Sequence, residues 1–268
     1  MKGPVFQLSL LCIVLLLVLT AQVEAQQPFY TDDADVTPRR HFHFQFHNEF
    51  DVLARSAFPN LKQNTADFEL DYGLFKNVEI GIEAPFLTIV NDHGELQRRV
   101  SGIGDTNLSM KYNVLREKER SRLPAMAITF NMELPTGSVS RQLGSGLADF
   151  YLNGVLQKSL TSRTTLRLNG GILFSGNETT GVVGIKARGT VLTGGASVVR
   201  QFTKRLDLGV ELVGAETTSF SLGKGQLQTQ VGGNFAFLNN ATLDFGIVAG
   251  KYIASPRIGA QLGVSIEF

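Results

Sequence analysis

Three histidines lie close together near the start of the chain, in the stretch HFHFQFHNEF at residues 41–50. Imidazole nitrogens bind transition metals, so His41, His43 and His47 are candidate ligands. A shared metal would also need a carboxylate from a neighbouring segment. The nearby carboxylates are Asp67, Glu69 and Asp71. Phenylalanines occupy the alternate positions, so the same stretch also fits a β-strand whose histidines simply line a polar face.

The surrounding sequence favours the second interpretation. Polar and apolar residues alternate with a period of two along most of the chain, which is typical of strands with one wet and one apolar face. A His-x-His pair without a third fixed ligand is a weak metal signal. The histidines are therefore predicted to be polar lining, and the sequence predicts neither a metal nor a cofactor.

The first 25 residues have the pattern of a secretory signal peptide. Lys2 precedes an apolar run, and Val23-Glu24-Ala25 resembles a cleavage site for a signal peptidase. The single cysteine of the chain, Cys12, lies within this segment. Disulfides, thiolate catalysis and cysteine metal sites are therefore excluded from the predicted mature protein. The net charge of +1 gives no indication of a nucleic-acid partner.

The alternation predicts twelve strands of about ten residues and no helix. They lie near 42–52, 67–74, 78–84, 107–114, 126–134, 148–158, 164–174, 189–202, 205–213, 225–237, 241–250 and 257–268. Long polar connections are expected near 55–64, 88–102, 136–147, 175–187 and 214–224. Tight connections are expected near 75–77, 159–163, 203–204 and 238–240, with 116–123 intermediate.

The lengths of the strands and of their connections distinguish a membrane barrel from a soluble β-sandwich. The strands have the length that a tilted strand needs to cross a bilayer, and long and short connections alternate as in outer-membrane barrels. The predicted fold is all-β, a transmembrane antiparallel up-and-down β-barrel over residues 41–268. Both termini are expected in the periplasm of a bacterial outer membrane, where the terminal aromatic Phe268 would act as a signal for the barrel-assembly machinery.

Five segments together show a resemblance to a known family. They are QPFYTDDADVTPRRHFHFQF (27–46), VEIGIEAPF (78–86), SGIGDTNLSMKYNV (101–114), ITFNMELPTG (128–137) and GTVLTGGASVV (189–199). Their order resembles that of the outer-membrane proteins grouped as the MetA-pathway of phenol degradation family. This resemblance covers essentially the whole predicted mature chain. It implies an outer-membrane barrel that takes up small hydrophobic or aromatic molecules, and it supplies no catalytic residues.

The polar face of the strands predicts the lining of the barrel interior. Its charged and histidine residues are His41, His43, His47, Glu49, Asp51, Asp67, Glu69, Asp71, Glu79, Glu83, Asp105, Lys111, Glu133 and Arg167. Most of the acidic residues fall in the first five strands, so one wall is predicted to be acidic and the other small and mostly neutral. Such a lining would favour cations or neutral solutes, or would instead form internal ion pairs that fill the interior.

Residues 26–40 precede the first strand and show no alternation. This periplasmic segment either forms a solvated turn or folds back into the barrel as a plug, with Arg39 and Arg40 meeting the acidic wall. The remaining charged residues of the candidate plug are Asp32, Asp33 and Asp35. These aspartates lack the further ligands of a recognisable calcium loop.

Two other classes of function stay open. A lipid-modifying hydrolase would need a nucleophile and a base at the membrane rim, and His93 near Ser101 is the closest approach to such a pair. Nothing orients these two residues, so the protein is predicted not to be an enzyme. A purely structural barrel is the third class. The predicted partners are outer-membrane lipid, the assembly machinery and a small-molecule solute.

Overall fold

The computed structural model describes residues 28–54, 61–91, 98–118, 122–174, 179–180, 183–184, 189–217, 225–252 and 254–268. The predicted signal peptide and His93 therefore lie outside the described residues. The strands are β1 Phe42–Val52, β2 Leu61–Phe75, β3 Val78–Asn91, β4 Arg98–Ile103, β5 Thr106–Leu115, β6 Ala125–Leu134, β7 Asp149–Thr161, β8 Thr164–Phe174, β9 Thr179–Thr180, β10 Val183–Gly184, β11 Thr190–Gln201, β12 Leu206–Thr217, β13 Gln226–Leu238, β14 Ala241–Gly250 and β15 Ile258–Glu267.

Twelve of these strands form a closed antiparallel barrel. Each pairs with the next around the ring, in the order β1, β2, β3, β5, β6, β7, β8, β11, β12, β13, β14 and β15. The first and last strands close the ring along a ten-residue register from His43 opposite Glu267 to Val52 opposite Ile258. Closure leaves neither strand with an open edge, which a bilayer requires because it offers no water to unpaired backbone groups. The predicted fold is confirmed.

One side of the barrel is taller than the sequence predicted. β2 begins at Leu61 and β3 extends to Asn91, so parts of the expected loops 55–64 and 88–102 are strand. Beyond the point where β3 leaves β5, it pairs instead with β4, from Phe86 opposite Ile103 to Asn91 opposite Arg98. The boundaries were wrong because the inward residues of this extension include Leu87 and Ile89, which interrupt the polar alternation.

Apolar side chains cover the outer surface of the barrel. Large examples on widely spaced strands are Phe50, Phe68, Ile82, Ile128 and Val231, which are 44%, 46%, 46%, 47% and 61% exposed. Their sequence neighbours on the other face are buried and polar, as with Thr129 beside Ile128 and Gln230 beside Val231. This arrangement is the reverse of a soluble core and suits an exterior in contact with lipid chains.

The two ends of the barrel differ. At the turn end lie the short connections, the start of β1 and the C-terminal residue, where Phe42 and Phe268 exchange backbone hydrogen bonds of 2.7 and 2.9 Å. At the loop end, the connection 135–148 contains a 3-10 helix, Val139–Arg141. Leu143, just after this helix, packs into a buried apolar cluster with Leu53, Leu87, Ile89 and Val100. This cluster packs the loop 135–148 against the upper part of the wall. No helix among the described residues has the length and hydropathy to span a bilayer.

Candidate functional site: the barrel interior

The N-terminal segment, residues 28–40, lies inside the barrel. It contacts strands on all sides of the interior: the backbone carbonyl of Pro28 accepts a hydrogen bond from Gln230 on β13, and that of Ala34 accepts one from Asn113 on β5. The backbone N–H of Thr37 donates to Glu79 on β3 over 2.6 Å. The segment thus crosses the interior before the chain enters β1 at the turn end.

Two aspartates of the N-terminal segment form a buried ion-pair cluster with the wall. The Lys111 ammonium lies 2.8 Å from Asp32 and 3.4 Å from Asp33, and Arg167 lies 3.6 Å from Asp33. Burial alone would raise the pKa of Asp33, but the positive charges of Lys111 and Arg167 outweigh it and hold that pKa below its ordinary value. Burial prevails at Asp32 and raises its pKa. Lys111 therefore holds the segment through both aspartates, and Arg167 holds it through Asp33.

Tyr30 and Thr31 attach the segment to the opposite wall. The backbone N–H groups of both residues donate to the Glu211 carboxylate, over 3.0 and 2.5 Å, and the Thr31 hydroxyl also donates to Ser197 over 2.7 Å. The Tyr30 hydroxyl donates to Glu49 over 2.5 Å. Burial and the charges of Glu49 and Asp51 raise the pKa of the Tyr30 phenol well above 10.0. This phenol therefore stays neutral and remains a donor.

Arg39 and Arg40 do not have the role that the sequence suggested. Both are exposed, and Arg40 sits at the turn end with its backbone N–H donating to Gly73 over 2.7 Å. The charge pairing is the reverse of the expected one, since the aspartates of the segment meet basic residues of the wall. The reason is geometric: the arginines directly precede β1 and have too little chain to reach the middle of the interior.

Glycines on the wall make room for the segment. A Cβ at Gly195 would lie 2.5 Å from the Thr31 methyl group, and one at Gly209 would lie 2.8 Å from the Phe29 ring. Both glycines are on the inner face of neighbouring strands, β11 and β12. The small, neutral part of the predicted lining is thus the surface against which Phe29 and Thr31 pack.

A cavity of about 450 Å³ lies between the N-terminal segment and the loop end. Phe29, Tyr30, Thr31 and Asp32 form its floor. One wall carries carboxyl groups from β1, β2, β3, β6 and β7; they belong to Glu49, Asp51, Asp67, Glu69, Glu83, Glu133 and Asp149. The opposite wall is neutral and includes Leu173, Thr193, Val213 and Gln228. The interior is therefore a chamber with an acidic side and a neutral, partly apolar side.

The three histidines contact different carboxylates. His41 is 4.0 Å from Glu267 at the turn end, His43 is 4.0 Å from Asp71, and His47 is 3.6 Å from Asp67. His43 and His47 face the interior, whereas the His41 side chain is 46% exposed. In the part of the chain that the structure describes, no three His, Cys, Asp or Glu residues are placed to hold a metal ion.

Asp105 has a structural position between β4 and β5. Its two carboxylate oxygens accept hydrogen bonds from the backbone N–H groups of Gly137, at 2.8 Å, and Ser145, at 2.6 Å. Arg141 of the same loop donates to the Ser101 carbonyl over 2.8 Å, and the Ser101 hydroxyl is 2.9 Å from that of Thr88. These contacts fix the loop 135–148 over the loop end. Ser101, which was considered above as a possible catalytic partner of His93, is part of these rim contacts.

Several residues that hold the N-terminal segment were absent from the predicted site. Asn113, Gln157 and Gln261 all hydrogen-bond to residues 28–40. Their inward orientation follows from the alternation of their strands, but their partners depend on the path of a segment without periodicity. Leu143 was likewise missed because it lies in a connection that gave no strand signal.

The whole barrel sequence matches one family model. Residues 25–268 match the family described as "Putative MetA-pathway of phenol degradation". The chain belongs to this family. A search of curated proteins found no match.

Solved structures of outer-membrane channels share the fold. The COG4313 outer membrane channel from Pseudomonas putida F1 is 16% identical to the present chain, with a TM-score of 0.66 over 91% of this chain and 100% of the channel. KdgM porin is 11% identical, with a TM-score of 0.55 over 84% of this chain and 99% of the porin. NanC porin is 7% identical, with a TM-score of 0.57 over 83% and 98%. The barrel thus resembles bacterial outer-membrane proteins.

Proposed function

We propose that the protein is an outer-membrane channel for small molecules of the hydrophobic or aromatic class. The observation that carries this proposal is the 450 Å³ cavity enclosed by a closed barrel wall. Its volume is that of a typical small-molecule site. Membership of the family adds the substrate class, since the family is named for phenol degradation.

The path from the loop end suits molecules with apolar surface. A solute entering there passes the rim, which is held together by the buried apolar cluster around Leu143. It then reaches the cavity, whose floor and neutral wall carry aromatic and aliphatic side chains. They are Phe29, Tyr151, Leu173 and Val213. An apolar solute loses unfavourable contact with water along this route.

The N-terminal segment acts as the gate of the channel. It fills the interior between the cavity and the turn end, so a solute can leave only when residues 28–40 shift. The segment is held by ion pairs and hydrogen bonds rather than by covalent links, which permits a reversible displacement. Passage is therefore coupled to undocking of the segment from Lys111, Arg167 and Glu211.

The turn end faces the periplasm, and the loop end faces the exterior. Short periplasmic turns and longer external loops are the rule in outer-membrane barrels. Residues 1–25 act as a secretory signal, lipid covers the apolar outer surface, and the barrel-assembly machinery recognises the exposed Phe268. The protein works without a cofactor, binds no nucleic acid and performs no catalysis.

A liposome-swelling series tests the proposal. Purified protein is reconstituted, and neutral aromatics are compared with sugars of matched size, with cations and with anions. Neutral aromatics are expected to enter faster than the sugars. Equal entry of both would refute the substrate class, and absence of swelling with every solute would refute the channel.

A further inference from the structure

Two neighbouring turns at the turn end carry four exposed basic side chains. Arg163 lies in the turn between β7 and β8, and Arg200, Lys204 and Arg205 lie at the end of β11 and in the turn to β12. The backbone N–H of Gln201 donates to the Arg163 carbonyl over 2.8 Å, so the two turns are in direct contact. These four basic residues are called the basic turn cluster below.

The positive charge of the basic turn cluster is not balanced by the described part of the barrel. No described carboxylate lies within ion-pair distance of any of its four side chains. Arg200 contacts a neutral group instead, since its Nη1 donates to the Thr164 hydroxyl over 3.5 Å. Four cations on two contacting turns repel one another, so an anion from outside the protein would stabilise them.

Large apolar side chains border the basic turn cluster directly. Leu160 and Phe202, next to the same two turns, are 55% and 54% exposed. The Arg200 guanidinium carbon lies 5.9 Å from the centre of the Phe202 ring, and Val198 precedes Arg200 on the outward face of β11. The cations thus lie at the edge of the lipid-facing surface, where the headgroups of a bilayer lie. A lipid can contact both kinds of side chain at once, whereas a soluble anion would contact only the cations.

The next turn around the ring has the same apolar border without the cations. β13 pairs with β12, and the turn that follows β13 consists of Asn239 and Asn240. Phe237 and Leu238 before this turn are exposed, as Phe202 is. A turn at this end can therefore meet the membrane with neutral polar residues, and the basic turn cluster is a local feature with its own charge.

We propose that the basic turn cluster binds the headgroups of anionic phospholipids in the leaflet that surrounds the turn end. Arginine and lysine are the usual partners of phosphate groups. The lipid phosphate lies against Arg163, Arg200, Lys204 and Arg205, and the acyl chains lie along the outward apolar face that begins at Val198. This inference goes beyond the proposed function, because it assigns a headgroup chemistry to the lipid around the barrel and does not depend on the solute.

Lipid binding to the purified full-length protein in neutral detergent tests the inference. Native mass spectrometry compares phosphatidylglycerol, which is anionic, with phosphatidylethanolamine of the same acyl chains, which is zwitterionic. A basic residue near an anionic lipid surface strengthens binding about fivefold, so phosphatidylglycerol is expected to bind more tightly by at least this factor. The preference should shrink as salt is added, because the exposed cations are screened. Glycerol 3-phosphate, which has the phosphate without the chains, should not displace the lipid.

Variants locate the site. Arg200→Gln combined with Lys204→Gln should weaken phosphatidylglycerol binding about 25-fold and leave phosphatidylethanolamine binding unchanged. Lys251→Gln combined with Arg257→Gln is the matched control, since it removes the same charge from the connection between β14 and β15 at the loop end. Arg200→Lys combined with Lys204→Arg keeps the charge and should keep the preference. The electrophoretic mobility shift of folded barrels verifies that each variant has folded.

Three outcomes would overturn the inference: equal binding of the two phospholipids, equal losses in the turn-end and loop-end glutamine variants, and displacement of the lipid by glycerol 3-phosphate. The last outcome would identify a soluble phosphate as the ligand. Binding is measured in detergent and does not depend on transport. Failure of the swelling series with intact phosphatidylglycerol binding would therefore refute the channel alone, and entry of aromatics without a lipid preference would refute only the lipid site.

Discussion

Replacing Lys111 by methionine should release the N-terminal segment without opening the barrel wall. The Lys111 side chain is buried, and its ammonium lies within 3.4 Å of both Asp32 and Asp33 and 3.8 Å from Glu79. Methionine keeps a similar length but removes the charge. The strand that carries residue 111 remains paired through its backbone, so the loss falls on docking of the segment.

The expected size of the effect follows from the burial of the cluster. Removing one partner of a buried ion pair costs about 3–5 kcal/mol, because the remaining charge is left uncompensated. Arg167 still faces Asp33 at 3.6 Å, so the lower bound applies. A loss of about 3 kcal/mol changes the docking equilibrium by a factor of about 10². The fraction of time with the segment undocked should rise accordingly.

Single-channel recordings in planar bilayers measure this change. Lys111→Met should show long-lived states of higher conductance than the wild type, and deletion of 28–38 should make that conductance permanent. Lys158→Met is the control, because its ammonium pairs with Glu117 at the turn end instead of the segment. If Lys111→Met and the deletion both conduct as the wild type does, the segment is not the gate.

The pH dependence of channel opening is a second test of the ion-pair cluster around Lys111. In the docked wild type the pKa of Asp33 lies below its ordinary 3.8, so this group favours docking above that pH and loses its contribution as the pH falls further. Without Lys111, Asp32 loses the cation that opposes the effect of burial, so the pKa of Asp32 rises further and its protonation favours docking. Acidification should therefore close Lys111→Met channels relative to the wild type. The same acid response in both proteins would contradict the proposed role of the ion pair.

Three further predictions concern the wall and its ends. Hydrogen bonds from Lys158 and Ser159 lower the pKa of Glu117 against the effect of partial burial, and the ionised carboxylate should contribute about 0.5 kcal/mol to the free energy of unfolding. In urea denaturation, Glu117→Gln should lower this free energy by that amount at neutral pH and leave it unchanged well below pH 4.5. Asp105→Asn should lose about 1.5–3 kcal/mol of loop anchoring, and tryptic cleavage after Arg141 should accelerate while the barrel stays folded. Ile128→Arg, near the middle of an outward face, should destabilise the barrel in lipid by about 2–4 kcal/mol, against about 0–1 kcal/mol for Leu160→Arg at the turn end; equal costs would contradict the membrane placement.

The strands were predictable because a barrel wall obeys one rule throughout. A strand with lipid on one side and a polar interior on the other must alternate, so β1, β8 and β14 were located to the residue. The rule fails where the environment changes. Leu87 and Ile89 face inward near the loop end, and the upper part of β3 was therefore interpreted as loop.

The interior contacts were less predictable than the wall. Alternation indicates that Lys111 and Glu211 point inward, but it does not tell which residue of another segment they meet. The N-terminal segment has no period, and its pairing depends on the distance that its backbone can cover. Charge complementarity suggested Arg39 and Arg40, whereas chain length assigns the contacts to Asp32 and Asp33.

The contacts of the N-terminal segment also constrain the order of assembly. Tyr30 is bound by Glu211, 181 positions later in the chain, and Pro28 by Gln230, 202 positions later. The part of the chain that is synthesised first thus finds its partners among strands that are synthesised near the end. Residues 28–40 therefore cannot complete their native contacts until β12 and β13 have taken their places in the ring.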